Sequence, residues 1–214
     1  MNDKAKEASL ELLRSTWGKG AAIHKQPPDL GRYEVLIRRV RPKVIVETGL
    51  MFGGSQIWFG ERVPHVINVE KNYKTTRDYL ENKHGLGNPA TNGHMVMGDS
   101  LKVYPQVAAL AKSLAGPVLV VLDSDHSTET VYGEMLLYGQ LVTPGSYMVV
   151  EDGVLGFMPR GKFRMGNWYD GSPLEAIAKF LPDHPEFEVD SEIEALFDGV
   201  TTNPMGWLRR RSFP

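Results

Sequence analysis

The chain is 214 residues long and 42% hydrophobic, enough for one domain with a substantial core over 1–214, with residues 1–42 as a helical and loop entry to it. Its formal net charge of −2 gives no basic field for nucleic acid, and the absence of cysteine excludes a disulfide framework and thiolate catalysis, so any metal must be held by oxygen or imidazole. The first residues carry charges where a signal peptide needs an apolar run, and no apolar stretch approaches the ~18 residues of a membrane span, so a cytoplasmic protein with no membrane partner is expected.

In chain order, amphipathic stretches alternate with β-branched runs. Helices are predicted near 29–40, 54–62, 72–83, 101–114 and 128–142, and between them strands at Val44–Val46, Val66–Val69, His94–Met97 and Val118–Leu122, with a fifth at Tyr147–Val150. These runs are mostly hydrophobic on both faces, as central parallel strands must be, and the alternation predicts an α/β fold with a doubly wound, mostly parallel sheet. Ser172, Pro173 and Glu175 supply an N-cap, a proline at the first helical position and a capping-box glutamate for a helix over 173–181. Phe187–Val189 and Trp207–Arg210 could add two more strands, antiparallel if they form a C-terminal hairpin.

The ends of the predicted strands carry the chemistry. After the first comes Glu47-Thr48-Gly49, then Gly53, Gly54 and Ser55, a glycine-rich turn that lets the backbone approach a nucleotide-like ligand. Its spacing is wider than the dinucleotide fingerprint, which disfavours an NAD-dependent oxidoreductase. The second strand ends at Glu70, where a carboxylate can accept both ribose hydroxyl protons, and the third is closed by Asp99 and Ser100, beside where a purine would lie.

Asp123 follows the fourth strand, and Glu151 and Asp152 follow the fifth. In an open parallel sheet the carboxyl ends of the strands line the ligand crevice, so these three can converge on one hard divalent cation that offsets their mutual repulsion. Magnesium suits such oxygen ligands better than zinc does, with manganese as a substitute. His126, three positions after Asp123, is a candidate general base, since an imidazole is poised near neutral pH.

The stretch from Ile45 to Gly49 with Gly53, Gly54 and Ser55, the run Leu122 to His126, and Val150-Glu151-Asp152 together resemble the cephalosporin hydroxylase-like family of S-adenosylmethionine-dependent O-methyltransferases, over roughly residues 25–210. The resemblance implies a Rossmann-like class I methyltransferase fold and a family that includes sugar and macrolide O-methyltransferases, with mycobacterial polysaccharide methylation among the candidate roles. It implies that Glu47 and Gly49 lie by the methionine part of S-adenosylmethionine and that Glu70 binds ribose. It further implies that Asp123, Glu151 and Asp152 bind Mg2+ and that His126 is the base. Gly53, Ser55, Asp99, Ser100 and Asp123 complete the expected cofactor site.

The connection from Gly153 to Gly171 is too long for an ordinary turn and holds Arg160, Lys162, Arg164, Trp168 and Tyr169. Such residues suit a small-molecule or oligosaccharide acceptor, or a neighbouring subunit in a homo-oligomer. The stretch from Trp17 to Asp29 could close over the cofactor; its His24 and Lys25 receive no role. A noncatalytic binding subunit with the same fold is the remaining alternative, disfavoured because the cofactor and metal positions are all present.

Overall fold

The computed structural model describes residues 1–16, 23–83, 89–158 and 171–212. Helix α1 spans Asp3–Thr16 and α2 spans Pro27–Val40. Two prolines open α2, and Arg41 ends it in the left-handed region (φ 51°) just before Pro42, which cannot continue a helix. Strand β1 (Val44–Thr48), α3 (Gly54–Gly60), β2 (His65–Glu70), α4 (Tyr73–Leu80), β3 (Gly93–Met97), α5 (Ser100–Leu114), β4 (Val118–Leu122) and α6 (Thr128–Tyr138) then alternate. Strand β5 (Tyr147–Val150), α7 (Pro173–Phe180), β6 (Phe187–Val189), the short α8 (Ser191–Ala195) and β7 (Trp207–Arg210) complete the described chain.

The predicted elements are present within a few residues of their expected ends. The helix expected to reach residue 142 stops at Tyr138 and tightens into a 3₁₀ turn over Gly139–Leu141. Local caps set the starts: Ser172 accepts from the Glu175 amide at α7, Asn72 from the Lys74 and Thr75 amides at α4, and Asp99 from the Leu101 amide at α5.

Seven strands form one sheet in the order β3-β2-β1-β4-β5-β7-β6. The first five pair in parallel, while β7 runs antiparallel to both β5 and β6. Alternation of side chains divides the sheet between two cores. Val46, Ile67, Val120 and Met148 pack towards α5, α6 and α7, and Ile45, Val66, Leu119 and Val149 pack against Tyr33 and Leu36 of α2 and Phe59 of α3. The strand order reverses direction between β1 and β4, and that is where an open α/β sheet leaves a crevice beyond the carboxyl ends of its strands. No helix among the described residues is long and apolar enough to cross a membrane.

Candidate active site

A crevice of about 510 Å³ opens at this reversal point, walled by the β1–α3 turn, the end of β2, the residues after β4 and β5, and Ile23 to Lys25 ahead of α2. Gly49, Ser55, Glu70, Asp123, His126 and Asp152 line it. Gly49 has φ 85°, and a Cβ there would stand 2.1 Å from the Asp123 carbonyl oxygen, so only glycine lets β1 and β4 close so tightly at the crevice mouth. Gly53 (φ 81°) lies behind the lining, against the Tyr79 ring, and Gly54 takes its place at the wall. Both Glu70 oxygens accept backbone amides, from Leu50 at 3.1 Å and Asn72 at 2.7 Å, which ties the glycine turn to the end of β2. Asp99 and Ser100 border a smaller cavity of about 80 Å³ that shares Lys71 and Ser124 with the crevice.

The carboxylates divide into two groups. The register of β4 on β5 aligns Leu122 with Val150, which brings the following residues, Asp123 and Glu151, side by side. Between them stands the ammonium of Lys25, 2.9 Å from Asp123 Oδ2, 2.7 Å from Glu151 Oε1 and 3.0 Å from Glu47 Oε1. Burial alone would lower the lysine pKa, but Asp123, Glu151 and Glu47 outweigh it and hold the ammonium charged, well above its usual range. Asp123 is pushed up by burial and more than compensated by Lys25 and His126, so it stays ionised below its usual range. Glu151 moves the opposite way under burial and the Asp123 charge, so of these two neighbours Glu151 is the one that holds a proton more readily. The Tyr33 hydroxyl donates to Glu151 at 2.5 Å, and Glu47 accepts from Ser55 and Asn68 behind the crevice wall.

Asp123, His126 and Asp152 form the second group, each with one ligand atom within 4.8 Å of the others. Asp152 sits in the left-handed region (φ 56°), which turns it back to the crevice mouth instead of continuing the alternation of β5. Its amide donates to Asn203 Oδ1 at 3.0 Å, and its carboxylate lies 3.3 Å from His126 Nε2. Burial raises Asp152 to about 6, against the pull of His126. Glu151, expected with Asp123 and Asp152 at the ion, stands beside Asp123 with its carboxylate on Lys25 and Tyr33, while His126 is the third member of the 4.8 Å group. The two carboxylates suit magnesium or manganese, and of the two an imidazole ligand would favour manganese.

The chain matches the family model described as rhamnosyl O-methyltransferase/CmcI over residues 13–211. It belongs to that family. A rhamnosyl O-methyltransferase of Mycobacterium leprae (strain TN) is 29% identical over 205 residues, covering 92% of this chain and 83% of the relative. The fold is similar to that of CmcI without ligands (TM-score 0.61, 18% identity, 89% of this chain and 74% of that one) and of CmcI with Mg and SAM (TM-score 0.58, 20% identity, 89% and 74%). At those identities the solved structures show the fold alone.

In this member of the rhamnosyl O-methyltransferase/CmcI family, three contributors to the site carry no local signal in the sequence. Lys25 reaches Asp123 across 98 positions, Asn203 reaches Asp152 across 51, and Tyr33 reaches Glu151 across 118. Only the folded sheet brings them together. Of the connection expected to hold the acceptor, residues 159–170, with Arg160, Lys162, Arg164, Trp168 and Tyr169, lie outside the described residues, as do 17–22.

Proposed function

We propose that the protein is a divalent-metal-dependent O-methyltransferase that moves the methyl group of S-adenosylmethionine to a hydroxyl of a sugar, oligosaccharide or other polyhydroxylated metabolite. What carries the reading is the juxtaposition of Asp123, His126 and Asp152 at the mouth of a crevice closed by the Gly49 turn, in a chain that matches the family model over 13–211. Glu70, at the end of β2, would take the ribose, and the Gly49 to Ser55 turn the methionine part, with Asp99 and Ser100 at the purine side. The rhamnosyl O-methyltransferase name of the mycobacterial relative favours a sugar acceptor.

Asp123 and Asp152 would hold Mg2+ or Mn2+, which when bound supplies the Lewis acidity that lowers the pKa of the acceptor hydroxyl. His126, oriented by Asp152 at 3.3 Å, would take the hydroxyl proton as the oxygen lone pair attacks the methyl carbon and the C–S bond breaks. Lys25, bonded to Asp123 Oδ2, keeps that carboxylate ionised. A second reading, in which His126 is itself a ligand, is favoured by its place within the 4.8 Å group. Transfer of labelled methyl groups to a panel of rhamnosylated and other polyhydroxylated acceptors should vanish with a chelator and return with Mg2+. Full activity in chelator would sink the metal mechanism. His126→Ala separates the two roles: a base variant loses ~10²–10⁴-fold in turnover at neutral pH, recovers as pH rises and keeps its Mn2+ affinity, whereas a ligand variant loses that affinity.

A further inference from the structure

Glu134 lies on α6 beneath the crevice floor and takes no part in the methyl transfer itself. Its side chain is fully buried and is held by hydroxyls: Oε2 accepts from Thr48 at 3.2 Å, Oε1 from Ser124 at 2.6 Å, and the Ser100 hydroxyl bonds it as well. Thr48 is the last residue of β1, Ser124 comes two residues after β4, and Ser100 opens α5 just beyond β3. One carboxyl therefore gathers the ends of three strands. Its hold extends further, because Thr48 Oγ1 accepts from the Asp123 amide at 3.2 Å, and Ser124 lines both the crevice and the smaller cavity beside it.

We propose that Glu134 is a positioning residue for the crevice: by accepting the hydroxyl protons of Thr48, Ser124 and Ser100 it fixes where the strand ends stand and which way Ser124 directs its own proton. An ionised carboxylate is an acceptor only, so it can take all three donors together. A protonated one must donate to a hydroxyl oxygen, and that hydroxyl then turns its proton away; for Ser124 the open direction is the crevice. Burial pushes Glu134 up to about 7, against the three hydroxyls and His126, which places the change near neutral pH. The other titratable groups on this side are His126 and Asp125 ahead of α6, Tyr138 one turn further along it, and Asp99 and Tyr104 at the start of α5, which face Tyr138. Asp99 and Tyr104 act on Glu134 only at one remove.

Glu134→Gln keeps the shape and cannot ionise. In ligand-free protein, the backbone amide resonances of Thr48, Ser100 and Ser124 should titrate together near pH 7 in the parent and lose that inflection in E134Q. The same three inflections in E134Q would overturn the proposal and assign them to His126 or Asp125. The second readout rests on the crevice being the S-adenosylmethionine site. The affinity for S-adenosylhomocysteine should be several-fold higher at pH 8 than at pH 6 in the parent, with that pH dependence reduced in E134Q, and an equal dependence in both would overturn the proposal. A parent that titrates at the three amides yet does not bind S-adenosylhomocysteine would fell the cofactor reading and leave Glu134 its positioning role. If E134Q fails to fold, Thr48→Val and Ser124→Ala should each raise the carboxyl titration midpoint of labelled Glu134 by about half a pH unit or more, and an unmoved midpoint overturns the proposal.

Discussion

Lys25 places one fixed positive charge against three carboxylates that burial alone would drive towards protonation. Lys25→Met should therefore lower stability by about 3–5 kcal/mol, the usual result of removing one partner from a buried ion cluster. A urea midpoint that falls with an unchanged slope would show it. Mg2+ at millimolar concentration should restore more stability to this variant than to the parent, since an ion on Asp123 supplies part of the lost charge. An equal response in both would mean that the carboxylates neutralise themselves by taking up protons. Glu70→Ala is expected to weaken S-adenosylhomocysteine binding by ~1–3 kcal/mol, through the lost ribose contact and through the two amides, Leu50 and Asn72, that it releases. Unchanged affinity in calorimetry would remove Glu70 from the site. At this scale the sequence is informative where chemistry coincides with a strand end, as at Glu70 and Asp123, and silent where a partner comes from far along the chain. Nothing around Lys25 distinguishes it from a surface lysine until α2 is docked on the sheet.

At the scale of elements, strands were legible because a strand buried on both faces must be a β-branched run, and β1, β4 and β5 are buried at every position. The aim of the residues just beyond those strands was not legible. Strict alternation would carry Glu151 and Asp152 to opposite faces, and it is the left-handed backbone of Asp152, tied by Asn203, that breaks the alternation. Asn203→Ala leaves that amide without its acceptor, at a cost of ~1–3 kcal/mol, and frees Asp152 to move. Mn2+ affinity should fall with it. If affinity holds while stability drops, Asn203 supports the fold and not the ion site. Gly49→Ala is expected to be the more severe change, because its Cβ would meet the carbonyl of the neighbouring strand end, which is backbone and cannot swing aside. It should impair S-adenosylhomocysteine binding even where the protein still folds; normal binding would show that the β1–β4 approach can relax.

For the molecule as a whole, raised carboxyls decide how stability responds to pH. Glu134 has an ordinary value of 4.5 and is lifted to about 7 in the fold by burial, so the native state keeps a proton that the unfolded chain has already released. Its stabilisation is fully present below about 4.5 and is lost as pH rises through about 7. The effect is about 3 kcal/mol, since each tenfold gain in proton affinity is worth ~1.4 kcal/mol. Asp152, lifted to about 6, adds in the same direction, whereas the lowered Asp125 and Asp190 contribute stability that is lost only as pH falls below about 4. Unfolding free energy should accordingly be highest near pH 4 and decline until about pH 7. In E134Q the decline should be shallower, and an identical slope would place the proton elsewhere.

The position of β7 has a consequence for how the chain reaches this state. The Glu151-Asp152 pair follows strand β5, yet among the described residues the outer hydrogen-bonding edge of β5 is covered only by β7, and β6 joins the sheet only through β7. During synthesis the ribosome delivers β5 and β6 well before Trp207–Arg210. Until then β5 presents an open edge of wholly buried-type residues, the kind of surface that pairs with whatever strand arrives first. The parallel half of the sheet can assemble as it emerges, but the Asp152 backbone cannot be locked until the segment with Asn203 is out. A nascent chain halted before residue 200 should therefore be captured by chaperones and fail to protect β5 from proteolysis, however complete its first four strands.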